Sequence, residues 1–161
     1  MKIIAFAAVA LLAVTPPAVL GKTNCTFDQA GVAAQLSAKA GRVKGAKKIS
    51  PTEFKWDEPF GRTVSIGYGG CMDLGAEVSV SNSGHSGKPL NQSDLLRAVA
   101  RYWSSATAKG LASALAGSQG TGHVEGKARV VEFGPSVSEA FPAGFTVSIA
   151  PDHVSVSWQE L

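Results

Sequence analysis

Alternation of apolar and polar positions is clearest between Thr63 and Ser81. Val64, Ile66 and Tyr68 share one face of the first run, and Leu74, Ala76, Val78 and Val80 share one face of the second, the period-2 signature of half-buried strands. The two runs meet at the turn Gly69-Gly70-Cys71-Met72-Asp73. Upstream, Phe54 and Trp56 alternate with Glu53 and Lys55 across Thr52 to Asp57, which predicts a further strand. The stretch Asp57 to Arg62 is a turn, because Pro59 fixes its own φ and Gly61 takes φ > 0 without cost. A meander therefore runs from Thr52 to Ser81, preceded by the weakly patterned Val43 to Ser50. Downstream, Phe145, Val147 and Ile149 alternate with Thr146 and Ser148, and Val154, Val156 and Trp158 alternate with Ser155 and Ser157. With Ala150-Pro151-Asp152-His153 between them, these runs predict a hairpin. Lys127 to Phe133 reads as a strand whose adjacent Val130 and Val131 point to burial on both faces.

The period changes to that of a helix in two places. Phe27 to Lys39 carries Val32, Ala33 and Leu36 as a narrow stripe, with Thr26 or Asp28 to cap it and Gly41 to end it. The second signal is stronger: Asn91 as N-cap, Asp94 three residues on, and Leu90 placed to staple against Leu95. From there Leu95, Val99, Tyr102, Trp103, Ala106, Gly110 and Leu115 keep an approximate 3.6-residue period, while Arg97, Arg101, Ser105 and Lys109 lie on other faces. This predicts one long central helix closed by Gly117. The glycine-rich Gly117 to Gly122 reads as a connection, and no sequence repeat is evident. The expected fold is a single α+β domain, an antiparallel β-sheet with a short N-terminal helix and one long central helix packed on one face.

The first 21 residues stand outside this pattern. Lys2, the apolar run Ile3 to Val14, Pro16-Pro17 and small residues up to Gly21 have the layout of a secretory signal peptide. As a helix, Ile3 to Val14 would span about 18 Å, too short for a hydrocarbon core of about 30 Å. Residues 22–161 are then the expected domain, exported to a periplasmic or secreted location, with no membrane insertion after cleavage. Lys22-Thr23-Asn24 ahead of Cys25 is no lipobox, and the short leader fits a bacterial source. Export favours pairing the only two cysteines, Cys25 and Cys71, in one disulfide. Across so long a loop this bond is worth about 3–5 kcal/mol in the chain-entropy account. The sequons at Asn24 and Asn91 matter only in a eukaryotic secretory pathway.

Charge and chemistry then narrow the function. Removing Lys2 lowers the formal charge from +3 to +2, and the densest basic patch is Arg42, Lys44, Lys47 and Lys48. It lacks interleaved aromatics, so nucleic acid is a poor partner. His85, His123 and His153 lie in predicted loops and a turn, without the spacing of a zinc motif; an acid such as Asp73 or Glu125 would have to join them through the fold. Ser86 beside His85 lacks the Gly-x-Ser-x-Gly elbow. The carboxylate pairs Asp57 with Glu58 and Asp73 with Glu77 have no cleft announced around them. No catalytic residue, metal or cofactor is assigned, and the chain is read as a non-enzyme.

Aromatics are the remaining signal. Trp56, Tyr68, Trp103 and Trp158 fall on apolar faces and read as core, whereas Phe60 and Phe141 stand beside prolines in predicted turns, where an exposed ring can anchor a partner. The expected partner-binding residues are Phe60, Arg62, His85 and Phe141, carried on the loops Asp57 to Arg62, Asn82 to Lys88 and Gly134 to Gly144. In size and compartment the chain is similar to small bacterial periplasmic proteins that bind and neutralise an enzyme, inhibitors of cell-wall hydrolases and immunity proteins against secreted effectors among them. A protein partner is thus expected. The alternatives are a carrier of a lipid or other small ligand, enclosed between helix and sheet, and a small hydrolase built on His85 and Ser86.

Overall fold

Each run of alternating residues becomes a strand, and the strands join into one eight-stranded antiparallel sheet. The structure is a computed structural model that describes residues 28–69, 74–82, 88–117 and 120–160. The signal segment, Cys25, Cys71, His85, Ser86 and Asp73 lie outside the described residues, and so does the Cys25–Cys71 pairing.

Helix α1 (Gln29–Ala40) is followed by β1 (Lys47–Ser50), β2 (Glu53–Glu58), β3 (Arg62–Gly69) and β4 (Gly75–Asn82). Helix α2 (Gln92–Ala98), a π-helical segment (Val99–Trp103) and α3 (Ser105–Ala116) then lead to β5 (Thr121–Glu125), β6 (Ala128–Phe133), β7 (Phe145–Ile149) and β8 (His153–Gln159). The sheet order is β1-β2-β3-β4-β8-β7-β6-β5. Two meanders, each preceded by helix, thus meet where β4 pairs with β8, Val78 opposite Val156 near the middle of the seam. Both of those strands are the last of their meander, so the order of elements repeats although the sequence does not.

One face of the sheet supplies the core. Val64, Ile66, Val78, Val80, Val147, Val154 and Val156 are fully buried there, against Leu36 of α1, Leu95 of α2, Val99 of the π-helical segment and Leu111 of α3. The opposite face alternates with serine and threonine, including Ser65, Ser79, Ser155 and Ser148 in register on β3, β4, β8 and β7. Asp28, one of the two expected caps, caps α1 by accepting from the Ala30 N–H. Asn91 and Asp94 form the predicted capping box on α2.

The long central helix is a correction. Ser104 adopts an extended conformation (φ −162°, ψ 136°), its N–H closing a π-type bond to Val99 C=O and its side chain accepting from Ala106 and Thr107 N–H to start α3. The break moves the buried face of α3 to Ala108, Leu111 and Ala114, away from the projected Ala106, Gly110 and Leu115. Gly110 serves a different contact: a Cβ there would lie 2.5 Å from Ser138 Oγ and 2.8 Å from Ala140 Cβ, so its absence admits the segment that follows β6. β5 is the second correction. Thr121 and Gly122 are strand rather than connection, and β5 is exposed along its whole length. In β6, Val130 is buried but Val131 only in part, so this strand is not covered on both faces.

Candidate binding site

A cleft of about 770 Å³ opens between the C-terminal half of α1, the following loop, the end of β2 and the π-helical segment. Its position follows from the helix break. The π-type turn ends at Trp103, whose ring packs at 5.2 Å from Tyr68 and 5.0 Å from Trp158, and leaves the Trp103 carbonyl without a helical partner. Lys39 of α1 donates to that carbonyl at 3.4 Å and sits 4.5 Å from the Trp103 ring centroid, a cation–π geometry.

At the other wall Trp56 meets Tyr102 edge to face, centroids 4.6 Å apart. The Tyr102 hydroxyl donates to Glu58 Oε1, and Arg101 approaches the same carboxylate at 3.7 Å while covering the Tyr102 ring. Burial raises the Tyr102 phenol above its ordinary pKa, and the Glu58 hydrogen bond and charge raise it further; Trp56 and Arg101 pull more weakly the other way. Tyr102 therefore stays a neutral donor. Trp56 Nε1 is buried beside Tyr102, whose oxygen it polarises, and meets no acceptor at full hydrogen-bond geometry among the described residues. Arg42 and Lys44 are exposed on the rim and make no ion pair among the described residues. Asp57 is engaged by Lys47 at 3.7 Å and accepts from Thr63 at 3.0 Å.

Pro59 lines the same cleft, and the next residue is Phe60. Phe60 is 89% exposed, the most exposed large apolar side chain among the described residues. Its backbone is left-handed, φ 68°, and Gly61 follows at φ 69°. A bulky residue there is a genuine outlier, costing about 1–2 kcal/mol. The turn is held from both sides by charge. Arg62 reaches Asp94 at 2.8 Å, Asp94 also caps Asn91 N–H at 3.2 Å, and Arg97 stands 3.8 Å from the same carboxylate. Arg62, 20% exposed, is thus a tie between the β2–β3 turn and the first turn of α2 rather than an outward contact.

Phe141 is the clearest correction among the expected site residues. It is fully buried, its ring 4.5 Å from Phe145 and 5.5 Å from Trp158, with its N–H bonded to Ser138 C=O. Nor do the two expected loops that are described throughout, 57–62 and 134–144, gather. Arg62 is in register with Asn82, and Ser81 with His153, so turn 57–62 lies at the end of the sheet where β4 ends at Asn82; residues 83–87 lie outside the described residues. Phe133 pairs with Phe145 and Phe145 with Trp158, so segment 134–144 lies at the opposite end. His123 on edge strand β5 and His153 on β8 are separated by β6 and β7, and no group of three His, Cys, Asp or Glu positioned to hold a metal occurs among the described residues. Trp56, Tyr68 and Trp158 are core as expected.

No motif announces the Glu58–Tyr102–Arg101 cluster. Its one legible trace is the spacing Asp94, Arg97, Arg101, which falls on one helical face. No helix among the described residues is long and apolar enough to cross a membrane. No protein-family model, curated protein or solved structure matches the chain.

Proposed function

We propose that this chain is an exported binding protein that docks on a protein partner and neutralises it, as an inhibitor or immunity protein does, with Phe60 as the anchor. The observation that carries the reading is that turn: a phenylalanine held in solvent, in a backbone conformation that glycine or asparagine would adopt more cheaply. Exposed aromatics surrounded by arginine are the residues on which protein interfaces concentrate their energy. Arg97 and Arg101, both two-thirds exposed, flank the turn through Asp94 and Glu58, and Arg42 and Lys44 extend the positive rim along the cleft. The partner surface that fits is an apolar socket bordered by carboxylates, and basic steering brings it in quickly at low salt. Export after cleavage at Gly21 and a Cys25–Cys71 disulfide belong to the same proposal; mass spectrometry of the intact, unreduced periplasmic protein reads both.

The carrier alternative draws less support, because the space between helices and sheet is filled by side chains such as Leu36, Leu95, Val99 and Leu111. The test is capture with the mature protein, tagged at Leu161, from a periplasmic extract, followed by mass spectrometry of proteins and extractable small molecules. A stoichiometric protein partner that is lost on Phe60→Ala supports the proposal. A bound small molecule alone moves the carrier ahead, and nothing bound overturns both.

A further inference from the structure

The two edges of the sheet are finished differently. On β1, Lys47 and Lys48 are exposed, Lys47 reaching Asp57 of β2, and the register shifts between Lys48 and Ser50; charged residues and an irregular register are devices that stop another strand from adding. β5, Thr121-Gly122-His123-Val124-Glu125, has neither lysine nor proline, keeps an unbroken register with β6, and exposes Val124 at 76%. No strand among the described residues pairs along its outer side.

From these features we infer that β5 pairs with β5 of a second copy of this chain. The β5–β6 hairpin closes through Gly126-Lys127, with Gly126 at φ 60° and Glu125 opposite Ala128, the arrangement of a two-residue turn on a hydrogen-bonded pair. Bonds to β6 therefore come from Glu125, His123 and Thr121, and the N–H and C=O groups of Gly122 and Val124 point outward. A two-fold axis through His123 sets Gly122 of one copy opposite Val124 of the other, twice, which satisfies all of those outward groups with four hydrogen bonds. Thr121 falls opposite Glu125, which keeps the two glutamates apart, and His123 falls opposite the His123 of the second copy. Each Val124 then covers the position beside Gly122, where a Cβ would meet nothing closer than Val130 O at 3.8 Å and Val131 Cγ2 at 3.9 Å; the glycine leaves room for the incoming valine beside Val131. Five residue pairs fall short of the roughly 1,000 Å² of a stable complex, so the association is reversible and concentration-dependent.

Sedimentation equilibrium of the mature protein up to millimolar concentration, with amide hydrogen exchange, tests this. The expected result is a monomer–dimer equilibrium in which the Gly122 and Val124 amides gain protection with concentration, while His123 is protected throughout. Val124→Lys and Val124→Pro leave the ladder to β6 intact, because the Val124 N–H points outward, and both abolish the dimer. A monomer at every concentration, a dimer that survives the folded variant, or a dimer with Gly122 and Val124 unprotected overturns it. The exchange pattern of the unmodified protein decides the matter even where a variant fails to fold.

Discussion

The half of the molecule built from α1 and β1–β4 and the half built from α2, α3 and β5–β8 repeat one order of elements, yet they finish their ends by opposite means. Where the first meander meets α2, the β2–β3 turn is tied by charge: Arg62 and Arg97 converge on Asp94, Arg101 and Tyr102 on Glu58, and Lys47 on Asp57. The second meander seals its own open end with rings. Phe133 stacks on Phe145 at 4.4 Å, and Phe141 fits between Phe145 and Trp158. The difference follows from what each end presents. A turn that exposes Phe60 in a strained conformation gains from directional ties that fix it without covering it, whereas segment 134–144 returns over the sheet and buries its aromatic.

Substitutions separate the two means by size of effect. Phe141→Ala should destabilise by about 3–5 kcal/mol, the range for truncating a buried aromatic, read from denaturant unfolding; a loss below about 1 kcal/mol would mean the ring is not packed as described. Asp94→Ala should cost about 3 kcal/mol, because it strands the largely buried Arg62 guanidinium and removes the reciprocal half of the α2 capping box. A surface-like loss of a few tenths would show that the charged end is decoration.

Smaller, and pH-dependent, is the contribution of two phenols. Burial first, and the Glu160 hydrogen bond and charge second, push Tyr68 well above the ordinary phenol range; Tyr102 is raised in the same way by burial and Glu58. Folded chains therefore hold protons that unfolded chains release near pH 10. This stability is fully present below about pH 10 and falls as pH rises through the folded-state values. Stability measured from pH 8 to 11 should decline at the alkaline end, and less steeply in Tyr68→Phe and Tyr102→Phe; equal slopes in all three would contradict the burial described.

Much of this architecture is written in short-range pattern. Phe54 with Trp56, Val64 with Ile66 and Val154 with Val156 alternate because one face of each strand is buried, and Asn91 with Asp94 marks a helix start through two local hydrogen bonds. What escaped depends on distant partners. β5 has no buried residue to give it a period and is a strand only because β6 pairs with it. Ser104 interrupts a helical period that runs unbroken in sequence, and the break is explained by Trp103 packing on Tyr68 and Trp158, contacts across 35 or more positions. Phe141 and Phe60 look alike beside their prolines; one is enclosed by rings from β7 and β8 and the other is not. At the cleft, the exposure of Phe60 and the capping role of Asp94 were legible, while the convergence of Arg62 and Arg97 on Asp94 and the meeting of Glu58 with Tyr102 and of Lys39 with Trp103 required the fold.

The most direct test of the account replaces Phe60 alone and measures both stability and binding. Phe60→Gly should raise stability by about 1 kcal/mol through relief of the left-handed backbone, and both Phe60→Gly and Phe60→Ala should lose the captured protein partner while melting no earlier than the parent. Retention of the partner at unchanged affinity by these folded variants would contradict the assignment of this turn as the anchor.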